Sequence, residues 1–216
     1  MPAHWRGDIA MPADGAIRIA VFARAPVAGE AKTRLIPVLS AEGAAALQRR
    51  LIERTLATAC AVSGARVTLW VAGDTAHPFV TEVSARFGVA LATQVGNDLG
   101  ERMHNAFVAA AAPLVLIGTD CPQLAARDLA EAAAALAAHD VVIQPATDGG
   151  YVLIGLSGPQ PALFESIDWG GPQVLQQTQA RIAALALRCA LRPTLDDLDT
   201  AADLQRALAA GLLPAP

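Results

Sequence analysis

The fold is decided by the stretch LVLIGTDCPQLAARDLAEAAAALAAHDVVIQ, residues 114–144. Two short apolar runs, 114–118 and 140–144, flank an alanine-rich segment that predicts a helix over 126–138. Continuously apolar strands that are separated by helices are typical of a mainly parallel sheet with helices on both faces. The stretch therefore predicts one strand–helix–strand unit of such a sheet.

The same alternation continues along the chain in both directions. Further strands are predicted over 17–23, 66–72, 89–93, 151–156 and 187–191, and further helices over 41–62, 76–87, 99–112, 172–185 and 201–210. Thr200 and Asp203 resemble a capping box, so the last helix is expected to begin there. The whole pattern predicts an α/β protein with three α/β/α layers: a flexible tail over residues 1–16, then a single domain over 17–216.

Composition and charge exclude several classes of function. A net charge of −4 over 216 residues provides no basic field for nucleic acid. No apolar run approaches the roughly 18 residues of a transmembrane helix, so no membrane partner is expected. The first residues lack the apolar core of a secretory signal, and the three cysteines contain no CxxC. A cytoplasmic protein with reduced thiols is expected, and its oligomeric state stays open.

The loop after the first predicted strand contains the only lysine of the chain. Residues 22–37 read FARAPVAGEAKTRLIP, in which Lys32 and Arg34 follow Gly29 closely, whereas the other 15 of the 16 basic residues are arginines. Such a loop can present backbone N–H groups and two cations to a phosphate chain. The alternative is a surface turn with two solvated charges. The chain has neither a Walker A loop nor a GxGxxG motif, which disfavours a dinucleotide-binding domain.

Two aspartates follow predicted strands, where ligands bind in open α/β sheets. Asp120 comes two residues after the strand 114–118 and is a candidate ligand for Mg²⁺ or Mn²⁺; the alternative is a cap for the next helix. Asp148, in PATDGGYVLIGL, could supply a second carboxylate, or it could be an ordinary turn residue before a strand.

Two other acidic segments have simpler interpretations. Asp98 and Glu101 in GNDLGERMHNAF fit a helix N-terminus, although Gly96 and Gly100 beside them hint at the wall of a ligand site. The run LDDLDTAADL, residues 195–204, fits a solvated turn and a helix cap better than a metal site. Either Asp197 or Asp199 could still reach the cleft.

Four ordered motifs, FARAPVAGEAKTRL, GNDLGERM, IGTDCP and DGGYVLIGL, resemble the radical-SAM/selenodomain-associated transferase 1 family. The resemblance covers about residues 17–208 and implies a GT-A, Rossmann-like nucleotide-diphospho-sugar transferase fold, which is shared with guanylyltransferases. It assigns Lys32, with Arg34, to the nucleotide phosphates and Asp120 to the metal, while Asp148 becomes a second acidic site residue. Asp120 stands alone in GTDCP rather than in a DxD pair.

The resemblance implies a glycosyltransferase-like enzyme that transfers a sugar from a nucleotide-diphospho-sugar, bound through Mg²⁺ or Mn²⁺, to an unidentified small-molecule acceptor. The base would contact the loop around Ala23, Ala25 and Pro26, and Asp98 would belong to the nucleotide site. Asp148 would either complete the metal shell or position and deprotonate the acceptor hydroxyl. The alternatives are a nucleotidyltransferase that uses an NTP and releases pyrophosphate, and a nucleotide-binding protein without catalysis.

Overall fold

The strands form one mainly parallel sheet in the computed structural model, which describes residues 16–111 and 113–213. Over these residues the sheet has seven strands, β1 (Ile17–Arg24), β2 (Ala65–Ala72), β3 (Ala90–Thr93), β4 (Leu114–Gly118), β5 (Val141–Pro145), β6 (Tyr151–Leu156) and β7 (Cys189–Leu191). Their spatial order is β3-β2-β1-β4-β6-β5-β7. Only β6 is antiparallel to its neighbours, β4 and β5. The tail predicted for 1–16 lies outside the described residues, apart from Ala16.

The described ranges contain six helices, as the sequence pattern predicts: five lie between strands and the sixth follows β7. They are α1 (Ile36–Cys60), α2 (Pro78–Phe87), α3 (Leu99–Ala110), α4 (Ala126–Ala135), α5 (Val174–Ala184) and α6 (Ala201–Ala209). The capping box at α6 is confirmed, because the Thr200 hydroxyl accepts from the Asp203 N–H and the Asp203 carboxylate accepts from the Thr200 N–H. None of the helices in this part of the chain is long and apolar enough to cross a membrane.

Helix α1 begins five residues earlier than predicted, but it is interrupted where the prediction places its start. Ser40 has φ 68° and ψ 170°, outside the helical region, and its hydroxyl accepts a hydrogen bond from the Gly43 N–H. Ser40 thus caps the long helical segment that follows it. The preceding turn contains Pro37, which is tolerated in the first turn of a helix because the N–H groups there have no helical partner.

Both faces of the sheet are covered, which confirms the three-layer architecture. On β1, Ile19 and Val21 contribute to one core cluster, and Ala20 and Phe22 contribute to another on the opposite face. The first cluster includes residues of α1, α2 and α4, and the second includes residues of α3 and α5. A third, smaller cluster packs α1 against α6.

The parallel pairing brings the carboxyl ends of β1, β2 and β4 to one edge of the sheet. Arg24 at the end of β1 is opposite Ala72 at the end of β2, and Phe22 is opposite Gly118 at the end of β4. The loop after β1 and the loop containing Asp120 therefore leave the sheet side by side. Ligands bind at this edge in open α/β folds.

Candidate functional site

A cleft of about 560 Å³ lies at this edge of the sheet. Its described lining consists of Phe22, Ala23, Arg24, Glu30, Lys32, Thr33, Arg34, Gln48, Ala72, Gln94, Leu99, Arg102, Gly118, Thr119, Asp120 and Asp199. These residues come from the ends of β1, β2 and β4 and the segments that follow β1, β3 and β4, from α1 and the start of α3, and from the segment before α6. The cleft is thus built from segments that are far apart in the sequence.

Lys32 reaches into the cleft from a turn with a rare backbone conformation. Its φ of 49° and ψ of 42° are left-handed, and its C=O accepts from the N–H of Leu35 at the end of a short 3-10 helix, Thr33–Leu35. The ammonium lies 2.9 Å from Oδ1 of Asp120 and donates to Oδ1 of Asp199 at 3.0 Å and to the C=O of Leu198. Since an ammonium has three donors, three acceptors satisfy it fully.

The two carboxylates keep this buried lysine charged. Its side chain is 6% exposed, whereas those of Asp120 and Asp199 are 45% and 37% exposed. Burial lowers the pKa of Lys32, but the attraction of Asp120 and Asp199 and the hydrogen bonds to them outweigh this and raise it above its ordinary value. A cation therefore lies between two carboxylates whose outer surfaces face the cleft.

Asp120 belongs to the cleft and does not cap the helix that follows it. Helix α4 begins at Ala126, and the N–H of Ala125 before it donates to the carboxylate of Asp128 at 2.9 Å. The carboxylate of Asp120 instead accepts from the Thr119 hydroxyl at 3.2 Å, and its backbone C=O accepts from the Leu198 N–H at 2.8 Å. This last bond attaches the loop after β4 to the segment that carries Asp199.

Asp199 is the site residue that the sequence pattern favoured least. Its backbone N–H donates to the carboxylate of Asp203, as expected for a residue just before the capped helix α6, but its side chain contacts Lys32. Arg34 lies 3.6 Å from the second carboxylate oxygen of Asp199. The ion pair joins positions 167 residues apart, so no local pattern could indicate it. The only sequence feature that pointed to Asp199 was the acidic run 195–204 in which it lies.

Arginines surround the rest of the cleft. The side chain of Arg34 is 72% exposed, and Arg24 is also exposed at the end of β1. Arg102 on α3 donates through Nε to the C=O of Gly96 at 3.1 Å. Together with Lys32, these residues give the cleft a cationic border beside the carboxylates of Asp120 and Asp199, an arrangement that suits a phosphate chain.

Two glutamine side chains hold the strand ends below the cleft. The Gln94 amide donates to the C=O groups of Ala23 and Trp70, both at 3.0 Å. The Gln48 amide donates to the C=O of Arg24 and to the Thr119 hydroxyl, both at 3.4 Å. The buried Gln48 and the half-buried Gln94 thus link the ends of β1 and β2 and the residue after β4 by hydrogen bonds.

The residues predicted to contact the base divide into two groups. Ala23 lines the cleft. Ala25 is 3% exposed and Pro26 is also buried, and neither belongs to the described lining, because the N–H of Ala25 bonds to the C=O of Ala72 and turns the loop inward. Their contact with a base stays a prediction.

Asp98 has the capping role that the sequence predicts. Its carboxylate accepts from the Glu101 N–H at 2.8 Å, and the next residue, Leu99, lines the cleft. Gly100 has a packing role, since a Cβ there would lie 2.6 Å from the indole Nε1 of Trp169. The indole thus packs on the first turn of α3, beside the cleft.

Asp148 lies in the turn between β5 and β6, where its carboxylate accepts from the Gly150 N–H at 2.8 Å. This confirms its role in the turn. It does not belong to the described lining of the cleft, although β5 and β4 run in the same direction, so the turn is at the same edge of the sheet. Burial, followed by repulsion from Asp148, raises the pKa of nearby Asp197 to about 6.

The acidic pair in the cleft fits a divalent metal that is completed by a ligand. Within the described ranges, no group of three or more His, Cys, Asp or Glu side chains is arranged to hold a metal ion. Asp120 and Asp199, however, converge on one cation, the Lys32 ammonium. Mg²⁺ is commonly held by one or two carboxylates together with substrate phosphates, and this pair meets that requirement.

The fold is the one shared by nucleotide-sugar transferases and nucleotidyltransferases. A candidate nucleotide-diphospho-sugar transferase from Desulfovibrio desulfuricans G20 is similar to this chain at a TM-score of 0.81 and 32% identity, over 88% of this chain and 85% of that one. CMP:2-keto-3-deoxy-manno-octonic acid synthetase in complex with CTP matches at a TM-score of 0.60 and 13% identity, over 92% and 100%. Rv0371c of Mycobacterium tuberculosis H37Rv in complex with manganese matches at 0.55 and 18%, over 90% and 100%.

The chain belongs to the family DUF2064, described as an uncharacterized protein conserved in bacteria, whose model matches residues 55–171. The matched part includes the strands β2 to β6 and the motifs containing Asp98, Asp120 and Asp148. No curated protein matches the chain.

Proposed function

We propose that this protein is a transferase that binds a nucleotide-diphospho-sugar through Mg²⁺ or Mn²⁺ and transfers the sugar to a small-molecule acceptor. Within DUF2064, the resemblance of its four motifs supports membership of the radical-SAM/selenodomain-associated transferase 1 group. One observation carries the proposal: the carboxylates of Asp120 and Asp199 lie 2.9 Å and 3.0 Å from the Lys32 ammonium, in a cleft at the carboxyl ends of β1 and β4.

The donor diphosphate would lie between the acidic pair and the arginine border. Asp120 and Asp199 would hold the divalent metal, which supplies positive charge to stabilise the leaving diphosphate. Lys32 and Arg34 are placed to donate charge-assisted hydrogen bonds to the phosphate oxygens. The manganese complex of Rv0371c supports the metal, as the fold is the same.

The nucleoside would occupy the side of the cleft formed by Ala23 and the start of α3. There Leu99 and Arg102 provide an apolar and a cationic wall, and Asp98 holds the first turn of the helix in place. This location is favoured because the strand ends held by Gln94 form a rigid floor.

The acceptor would approach from the β5–β6 side of the same edge. Asp148 lies there, in the turn that follows β5, and β6 separates β5 from β4. A carboxylate in this position is suited to orient an acceptor hydroxyl or to accept its proton. Asp148 could complete the metal shell only with a change in the turn that its carboxylate now stabilises.

The second candidate is nucleotidyl transfer from an NTP, with release of pyrophosphate. It is favoured by one observation, the shared fold with a synthetase whose complex contains CTP. The same cleft, acidic pair and cationic border would serve that reaction equally well. A third candidate is a protein that binds nucleotides in this cleft without turnover.

Product analysis separates the three candidates. Purified protein is incubated with panels of NTPs and NDP-sugars, Mg²⁺ or Mn²⁺, and an extract of small-molecule acceptors. The proposal expects free NDP from at least one NDP-sugar and no pyrophosphate from any NTP. Pyrophosphate release would establish the second candidate instead, and metal-dependent binding without any product would establish the third. Asp140→Asn, which alters an ion pair outside the cleft lining, serves as the matched control.

A further inference from the structure

We propose that the Lys32 ammonium occupies the position of the divalent cation until the donor arrives, so that metal and donor phosphates enter the site together. This inference rests on the proposed function and specifies the order in which that site is filled. Its basis is that the Lys32 ammonium already contacts one oxygen of each of the two carboxylates that are proposed to bind the metal.

The contacts of Lys32 and those expected for a metal exclude each other. The ammonium lies 2.9 Å from Oδ1 of Asp120 and 3.0 Å from Oδ1 of Asp199, and the C=O of Leu198 takes its third proton. A Mg²⁺ ion requires carboxylate oxygens at about 2.0–2.1 Å. The same inward-facing oxygens cannot hold both cations at bonding distance without strong repulsion between the cations.

Donor phosphates remove this conflict because they bring negative charge. A diphosphate can accept hydrogen bonds from the Lys32 ammonium while its other oxygens complete the metal shell. The lysine then exchanges two carboxylates for phosphate and stays paired. Without phosphate, a displaced ammonium would lose all three acceptors in a place where its side chain is only 6% exposed, which is costly for a charge.

The chemistry of lysine suits this exchange better than that of arginine. A lysine side chain is a flexible stem with a compact charge, so a rotation of the stem moves the ammonium without moving the backbone. A guanidinium would form a planar, bidentate pair with a carboxylate, which is harder to release. This explains why the site keeps the single lysine of a chain whose other 15 basic residues are arginines.

The experiment compares Mn²⁺ binding to wild type and Lys32→Met, without nucleotide, by electron paramagnetic resonance of free Mn²⁺. Methionine keeps the length and the apolar stem and removes the charge. We expect Lys32→Met to bind Mn²⁺ at least about tenfold more tightly than wild type. Arg188→Met is the matched control, since it removes a basic charge outside the described lining of the cleft, and it should leave the Mn²⁺ affinity unchanged.

Inorganic pyrophosphate then stands in for the donor diphosphate. Adding it should raise the Mn²⁺ affinity of wild type and should raise that of Lys32→Met much less, after correction for Mn²⁺–pyrophosphate measured without protein. Lys32→Gln provides a second neutral variant, and thermal unfolding confirms that each variant is folded. The wild-type response to pyrophosphate tests the inference even if a variant does not fold.

The possible failures are distinguishable. If wild type binds Mn²⁺ without pyrophosphate as tightly as Lys32→Met does, the inference is wrong and the metal site stands. If neither protein binds Mn²⁺ under any condition, the proposed metal-dependent function is wrong, and the inference falls with it.

Discussion

Two ion pairs lie at opposite ends of the parallel strands and differ in the number of carboxylates that each basic side chain contacts. At the start of β5, Asp140 pairs with Arg188, which donates through Nη2 at 3.0 Å, through Nε at 3.1 Å and through its backbone N–H at 2.8 Å. In the cleft at the other end of the strands, Asp120 and Asp199 share Lys32. The first pair has one carboxylate for each cation, and the second has two.

The two pairs differ in how fully their carboxylates are occupied. Both oxygens of Asp140 are occupied by a planar fork and a backbone donor, so this pair only fastens the start of β5 to the chain before β7. In the cleft, two partly exposed carboxylates converge on a single buried cation next to a space of about 560 Å³. Two carboxylates that converge on one cation at this end of the strands suit a divalent cation once donor phosphates bind the Lys32 ammonium in their place.

The largest expected effect comes from removing the carboxylate that the sequence favoured least. Asp199→Asn should weaken donor binding in the presence of Mn²⁺ by about 100-fold or more, because it removes a charged metal ligand. Asp148→Asn should weaken it far less, since Asp148 lies outside the described lining of the cleft. Calorimetric titration with an NDP-sugar measures both affinities. Equal losses of donor affinity in the two variants would indicate that Asp148 is also a metal ligand.

Lys32→Ala should weaken donor binding by about 2–3 kcal/mol, the scale of a charge-assisted hydrogen bond. The titration is done at saturating Mn²⁺, so that the competition between lysine and metal does not contribute. Arg188→Ala removes the cation of the other pair and should leave donor affinity unchanged. If both variants lose affinity equally, the contrast between the two pairs is wrong.

Lys32→Arg tests the comparison between the two pairs more finely, because it keeps the positive charge in the cleft but replaces the ammonium by a guanidinium like that of Arg188. We expect a smaller loss of donor affinity, about 1–2 kcal/mol, because a guanidinium matches neither the three acceptors nor the exchange with phosphate. Calorimetric titration with the NDP-sugar at saturating Mn²⁺ measures this loss of donor affinity. Unchanged donor affinity would mean that the lysine at position 32 is a matter of chance.

The smallest effect is expected at Asp140. Hydrogen bonds from Arg188 hold the pKa of the Asp140 carboxyl below its ordinary value, so the folded state binds its proton less readily than the unfolded state. The pair therefore stabilises the fold above about pH 4, and this stabilisation is lost as the pH falls through the lowered pKa. Asp140→Asn should lower Tm by less than about 4 °C at pH 7, since Arg188 is 58% exposed.

Thermal unfolding at pH 7 and pH 3 measures this difference. The Tm values of wild type and Asp140→Asn should converge at pH 3, where the wild-type carboxyl is losing its charge. A difference that persists unchanged at pH 3 would show that Arg188 does not act through the charge of Asp140.

The architecture followed from local patterns because each strand and helix carries its own signal. The runs 114–118 and 140–144 are apolar on both faces since helices cover both sides of β4 and β5. Even the start of the long helix at residue 41 was indicated by its pattern, because Ser40 caps it there. Such features depend on residues that are close in the sequence, so that one amino-acid sequence is enough to predict them.

The site was only partly predictable, for the same physical reason. Lys32 and Asp120 follow strands, and that position alone identifies the functional edge of a parallel sheet. Asp199 follows no strand and precedes a helix cap, so its local pattern describes the cap and hides the contact with Lys32. Asp199 lies 167 positions after Lys32, and the contact between them depends on how the segment before α6 folds back onto the loop after β4. The hydrogen bond from the Leu198 N–H to the Asp120 C=O holds that segment there.

The proposed function requires that Asp120 bind the metal that in turn binds the donor. Thermal unfolding of wild type and Asp120→Asn is followed with a panel of nucleotides and nucleotide sugars, each with and without Mn²⁺. At least one NDP-sugar is expected to raise the Tm of wild type only when Mn²⁺ is present. Asp120→Asn is expected to lose this metal-dependent shift in Tm. Stabilisation of Asp120→Asn by the same donor, with unchanged dependence on Mn²⁺, would contradict the proposed role of Asp120.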